Sequence, residues 1–312
     1  MKKNIGMIIN SEKVKNEGVP LDLFSLSTCS LEIKREDQIH PEISGNKYRK
    51  LKYNILEATK QGKSKLLTFG GAYSNHIAAT AAAGKEFGFE TIGVIRGEEL
   101  INKLEDNPTL SLAKKYGMKF HFISREQYRH KNKLDFIENL KALFGDFYLL
   151  PEGGTNTLAV KGCEEIISKP DSRFDYVCSA VGTGGTLAGI VRSSYSHQHI
   201  IGFSALKGTF QTSVIKEYTT KSNFKIIDDY CFGGYAKIDL KLIRFINTFN
   251  EKTGIPLDPI YTGKMLYGIF DLIKKGEIKE NSSILAIHTG GLQGIEGMNQ
   301  RLNNKNLPQI NY

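Results

Sequence analysis

One lysine and three glycine-rich stretches hold the residues whose types could do chemistry. Lys47 stands in SGNKYRKLKYN (44–54), and FGGAYSNH (69–76), VGTGGTLAG (181–189) and HTGG (288–291) each end or follow an apolar run. In the second of these an apolar strand would enter a helix through Gly182, Thr183, Gly184, Gly185 and Thr186. That order aims unpaired backbone N–H groups and hydroxyls at an anion, a single phosphate being the economical guest. A ligand-free glycine turn is the other reading of the same residues. A dinucleotide fits worse, because Leu187 stands where G-x-G-x-x-G needs its third glycine and no acid follows near Lys207. A Walker loop would need G-K-[ST], which is missing.

In FGGAYSNH, Ser74 or Asn75 either caps the next helix or offers its polar atoms to a carboxylate. Lys47 reads in two ways as well. With Lys50 and Lys52 it belongs to a solvated basic helix face, or it is set after a turn for a purpose. HTGG is the weakest of the stretches, with His288 a candidate core histidine. There is no G-x-S-x-G elbow and no H-E-x-x-H pair. His197 and His199 precede an apolar strand as loop residues rather than metal ligands, and Tyr235 and Tyr261 are packing residues by default.

Short apolar runs alternate with helical patterns along the chain. KLLTF, TIGVI, KFHFI and DFYLLPE form one group of strands, from about residue 65 to 151. DYVCSAV, HIIGFSAL and ILAIHTGG form a second after about residue 175, with PEGGTNTLAV crossing between. Helical patterns fall over 74–88, 108–117, 186–195 and 257–276. This alternation predicts the α/β class, two parallel sheets covered by helices, with ligands gathered at the carboxyl ends of the strands.

The chain has 312 residues, 40% of them hydrophobic and 24% charged, which fits an ordinary globular protein of one large or two moderate domains. The formal charge of +9 is spread among acids, with no basic segment interleaved with aromatics, so small anions are expected as partners rather than nucleic acid. Cys29, Cys163, Cys178 and Cys231 form no C-x-x-C pair, which speaks against a zinc cluster or disulfide framework and for a reducing cytoplasm. Charge returns too early in MKKNIGMIINSEKVKNE for a signal peptide, and no apolar run is long enough for a membrane helix.

The order of the pieces carries more than any one of them. KREDQIHPEISGNKYRKLKYN, FGGAYSNHIAATAAAGKEFG, LPEGGTNTLAVKG, VGTGGTLAG, LDPIYTGKMLYG and IHTGG span residues 34–291. In this succession they resemble the fold-type II pyridoxal phosphate enzymes, and among them the family of 1-aminocyclopropane-1-carboxylate deaminase and D-cysteine desulfhydrase.

The resemblance implies a tryptophan synthase β-like fold with pyridoxal 5′-phosphate in a cleft between a smaller domain, 48–151, and a larger one, 1–47 and 152–312. Lys47 would form the Schiff base, its amine made reactive by partial desolvation. Asn75 would hold the cofactor's phenolic oxygen, Ser74 would face the substrate carboxylate, and Gly182, Thr183, Gly184, Gly185 and Thr186 would cradle the phosphate with Lys50 beside them. Tyr261 would lie near the ring face, Tyr235 near the substrate, and Thr262 at the pyridine nitrogen. His76 leaves the fit of the substrate open.

The deaminases of the family resemble one another in carrying glutamate at the Thr262 position. A hydroxyl there implies a milder electron sink, suited to β-elimination of hydrogen sulfide from D-cysteine rather than to opening a cyclopropane. The family reading also implies a small amino-acid substrate, a homodimer, a cytoplasmic location and no metal. The alternatives are deamination of 1-aminocyclopropane-1-carboxylate, a non-catalytic binder of a phosphorylated small molecule, and a nucleic-acid binder.

Overall fold

The computed structural model describes residues 14–26 and 28–312. The amino-terminal stretch read above for a leader lies, up to residue 13, outside them. The strands are β1 (Asn16–Val19), β2 (Ser30–Lys34), β3 (Lys65–Gly70), β4 (Glu90–Arg96), β5 (Lys119–Ile123), β6 (Tyr148–Leu150), β7 (Tyr176–Val181), β8 (His199–Ser204), β9 (Phe224–Ile227) and β10 (Ser283–Ile287). The helices are α1 (Asn46–Lys60), α2 (Asn75–Phe87), α3 (Pro108–Lys115), α4 (Arg125–Arg129), α5 (Leu134–Phe144), α6 (Thr157–Glu164), α7 (Gly185–Ser193), α8 (Gln211–Lys216), α9 (Leu240–Thr253), α10 (Thr262–Lys274) and α11 (Gly294–Asn303).

Two sheets result, in the orders β5-β4-β3-β6 and β1-β2-β10-β7-β8-β9. All pairs are parallel except β1 with β2. The seven strands expected from the apolar runs are present, in their two groups. β1, β2 and β9 were not foreseen. β2 shows why: in SLEIK the apolar Leu31 and Ile33 are buried, to 2% and 0% exposure, but so is the charged Lys34, and so short and mixed a stretch does not announce a strand. β10 is the opposite case, its Ile284, Leu285, Ala286 and Ile287 all fully buried, as a central parallel strand covered on both faces requires.

The helix expected over 257–276 begins only at Thr262. Before it the chain wraps around the Asp258 carboxylate, which accepts from the N–H groups of Ile260 (2.9 Å), Tyr261 (3.0 Å) and Thr262 (2.8 Å). Pro259 suits this wound turn, having no N–H to satisfy. Among the described residues no helix is long and apolar enough to cross a membrane.

Candidate active site

The three glycine-rich stretches leave β3, β7 and β10 on the same side and meet around a cavity of about 540 Å³. The first turn of α1 forms another part of its wall. Gly45, just before that helix, has φ +61°, and a Cβ there would lie 2.0 Å from the carbonyl oxygen of Thr289. Only glycine permits this approach, which lets the Asn46 N–H donate to the same oxygen at 3.3 Å. The turn before Lys47 is therefore docked on the end of β10.

Lys47 opens onto the cavity, but its Nζ is enclosed by protein, 3.2 Å from Asn46 Oδ1. Burial, then the neighbouring charge of Lys50, lowers its pKa to about 7, against weaker opposing pulls from Cys163 and Asp258. Near neutral pH a large share of molecules thus hold a free amine. Lys50 is itself 2% exposed and donates to Gly153 O (2.9 Å), Thr155 Oγ1 (3.0 Å) and Thr183 Oγ1 (3.4 Å), with its pKa lowered by burial to about 8.

At the start of α7, Gly184 adopts φ +90° and no side chain caps the helix, so its first N–H groups face the cavity unclaimed. Thr183 and Thr186 flank them, and Thr186 Oγ1 accepts from Asn46 Nδ2 at 2.7 Å. On the other wall Ser74 caps α2, accepting from Ile77 N–H at 3.4 Å. The Asn75 oxygen is taken by Gln293 Nε2 at 2.8 Å, which turns the Asn75 amide nitrogen outward as a donor. His76 is 1% exposed with neither ring nitrogen hydrogen-bonded, and burial, with Lys47 and Lys50 adding to it, holds its pKa well below the usual value.

Tyr261 and Tyr235 meet edge to face with ring centroids 6.3 Å apart. Tyr235 leaves 41% of its surface exposed while its hydroxyl is enclosed, and burial raises the pKa of both phenols.

Of the residues singled out in the sequence, Lys47, Lys50, Ser74, Asn75, His76, Gly182, Thr183, Gly184, Thr186, Tyr235 and Tyr261 line this one cavity. Gly185 and Thr262 do not. Gly185 packs behind the turn, where a Cβ would come within 2.7 Å of the Thr155 methyl. Thr262 is fully buried, its hydroxyl donating to Asp258 Oδ1 at 2.7 Å and accepting from Asp258 N–H at 2.9 Å. Thr262 was expected to face a ring nitrogen; in the structure its hydroxyl is engaged with Asp258 in the turn that leads into α10. Thr289 lines the cavity instead, at the end of β10 in the stretch judged weakest. His288 beside it is a core histidine, fully buried, accepting from Gly290 N–H at 3.2 Å and lying 2.8 Å from Pro256 O.

A buried amine titrating near neutrality, an uncapped helix start with two threonines and a lysine, an outward amide donor and an unsatisfied imidazole together fit a phosphorylated aldehyde. Among the described residues Glu152 is the one acid lining the cavity.

The sequence model described as pyridoxal-phosphate dependent enzyme matches residues 18–290. A Pyrococcus horikoshii protein that bears the provisional name 1-aminocyclopropane-1-carboxylate deaminase is 35% identical over 281 residues, 84% of each chain. The bifunctional D-cysteine desulfhydrase/1-aminocyclopropane-1-carboxylate deaminase of Arabidopsis thaliana mitochondria is 31% identical, covering 84% of this chain and 72% of that one. The crystal structure of an ACC deaminase homologue superposes with a TM-score of 0.79 at 28% identity, over 94% of this chain and 93% of the other. The chain therefore belongs to the pyridoxal-phosphate dependent enzymes, in the family of 1-aminocyclopropane-1-carboxylate deaminases and D-cysteine desulfhydrases.

Proposed function

We propose that this enzyme eliminates a small leaving group from a D-amino acid such as D-cysteine. Hydrogen sulfide leaves, and the 2-aminoprop-2-enoate that remains takes up water to give pyruvate and ammonia. The observation that carries this choice is the lack of an unengaged carboxylate along the cavity among the described residues. Glu152, the acid in its wall, accepts from Tyr128 at 2.8 Å and pairs with Lys131 at 3.2 Å. Asp258, just behind the wall, has both oxygens filled by the donors named above.

Bound here, the cofactor supplies a conjugated ring that accepts the electron pair left at the substrate's α-carbon. Where Thr289 offers a hydroxyl and no free carboxylate is at hand to hold a proton on the ring nitrogen, that electron acceptance would be weaker. That suffices where an α-proton departs and thiolate follows, and suits less well a cyclopropane that has no α-proton. The argument first attached to Thr262 thus passes to the wall that Thr289 forms.

Lys47 Nζ would hold the cofactor and, as a free amine in the cavity, would receive the substrate's α-proton. The start of α7, Thr183, Thr186 and Lys50 would hold the phosphate, and the Asn75 amide would donate to the phenolic oxygen. Ser74 and the start of α2 orient the substrate carboxylate, with His76 alongside. Tyr235 and Tyr261, kept protonated by burial, donate toward the departing sulfur. The same reading sets the cavity between a smaller domain, 48–151, and a larger one, 1–47 and 152–312, in a cytoplasmic homodimer. The strands of the four-stranded sheet, all between residues 65 and 150, support that division.

Deamination of 1-aminocyclopropane-1-carboxylate is the second reading, favoured by the names of the relatives. Keto-acid formation from D-cysteine, L-cysteine, D-serine, β-chloro-D-alanine and the cyclopropane amino acid separates the two. D-Cysteine is expected to be the fastest natural substrate, and comparable turnover of the cyclopropane would refute the choice.

A further inference from the structure

The turn that carries Tyr235 is held in an unusual shape. Phe232, Gly233, Gly234 and Ala236 have φ values of +52°, +88°, +117° and +54°, and no other five consecutive described residues contain four positive φ angles. Phenylalanine and alanine avoid that region, so the turn needs outside support to persist. Lys264, in the first turn of α10 and 2% exposed, provides a fixed point: its Nζ donates to Cys231 O at 2.7 Å and Gly234 O at 2.9 Å. On the other side Arg301 Nη1 donates to Ala236 O at 3.1 Å. The carbonyls immediately before and after Tyr235 are therefore each held by a cation.

A buried ammonium is costly unless its protons are accepted, and α10 would pack as well around an apolar side chain of the same length. Burial does lower the Lys264 pKa, to about 8, with Asp258 among the groups that pull it back up. Both direct acceptors of this proton-rich group lie in one turn, so removing it would release that turn and little else.

We propose that Lys264 is a positioning residue whose ammonium clamps the 231–237 turn and so sets the Tyr235 ring against Tyr261 in the cavity. The clamp is a property of the chain alone; its consequence for turnover rests on the role of Tyr235 given above.

Hydrogen exchange followed by mass spectrometry on the holoenzyme tests the clamp. Within the turn, Gly234 N–H donates to Cys231 O and Lys237 N–H to Gly234 O. In the wild type these amides are expected to exchange at least about tenfold more slowly than those of the exposed residues Thr220 and Ser222. In Lys264→Met, exchange over 230–238 should rise at least about tenfold, β7 should stay unchanged, and kcat should fall. Tyr235→Phe should lower kcat without hastening exchange. Unaltered exchange in a folded Lys264→Met protein overturns the clamp. If that variant does not fold, the wild type decides, because unprotected Gly234 and Lys237 amides overturn it as well. Faster exchange with undiminished turnover would uphold the clamp and instead remove Tyr235 from the reaction.

Discussion

Asn46 donates from Nδ2 to the Thr186 hydroxyl at 2.7 Å, across 140 residues of sequence. Its Oδ1 lies 3.2 Å from Lys47 Nζ, so one carboxamide joins the Lys47 amine to the start of α7. A net hydrogen bond of this kind is worth about 0.5–1.5 kcal/mol. Asn46→Ala and Thr186→Val should each weaken cofactor retention by roughly three- to tenfold, measured by titrating the apoprotein with pyridoxal phosphate. In the double variant the losses should not add. Additive losses would mean that the bond carries no coupling.

The amine of Lys47 should be reactive at a pH where exposed lysines are not. A lysine acylates only when deprotonated, that is, above its pKa, and this one is lowered to about 7. Competitive labelling of the apoprotein with trace acetic anhydride should give a half-point near pH 7 for Lys47, against about 10 for exposed lysines. Lys50→Met removes a like charge and should move that half-point upward. The change should be modest, because burial is the larger cause. A Lys47 half-point near 10 would remove the basis for its role, and a coloured Lys47→Ala protein that still bleaches with borohydride would do the same.

Asp258 supports the turn that carries Tyr261 through three backbone N–H groups and the Thr262 hydroxyl. Asp258→Ala strands four buried donors, each at a cost of about 1–3 kcal/mol unless water reaches it. A loss of at least about 3 kcal/mol in urea unfolding is expected, with Asp258→Asn losing less because its amide keeps one accepting oxygen. A loss under about 1 kcal/mol for the alanine variant would show that the turn holds its shape without the carboxylate.

What could be read from the sequence was what is local in sequence. Strand, glycines and helix start follow one another within VGTGGTLAG, so the turn from β7 into α7 beside the cavity was visible without a structure. Asn75 was visible for the same reason, but Gln293, which orients its amide, lies 218 residues away and has no motif of its own. The surroundings of Thr262 were hidden for a physical reason. It is polar, next to Tyr261 and suited to a ligand, and only coordinates reveal that it and Asp258 satisfy each other in the turn before α10. Thr289 was passed over because HTGG resembles any turn after a strand. Its importance comes from Gly45 docking on its carbonyl, a contact between the two ends of the chain. β1 and β9 escaped because strands of four residues at a sheet edge bury too little to leave a pattern.

The position of α1 over the cavity depends on a second glycine, far from any candidate ligand. A Cβ at Gly162, in α6, would lie 1.9 Å from the carbonyl oxygen of Arg49. The obstacle is backbone, so no side-chain rotation relieves it, and α1 would have to move with Lys47 and Lys50 on it. Overpacking of a tight core contact costs about 1–3 kcal/mol, and a backbone clash this close belongs at or above the upper end. Gly162→Ala should therefore lower stability in urea by about 3 kcal/mol and also weaken cofactor binding, although no ligand would touch the new methyl. Gly18→Ala is the control, because a Cβ there meets nothing within 4 Å. Its stability should stay within about 0.5 kcal/mol of wild type and its cofactor affinity should not change. If Gly162→Ala bound the cofactor as tightly as that control, the helix contact would not be what places the two lysines.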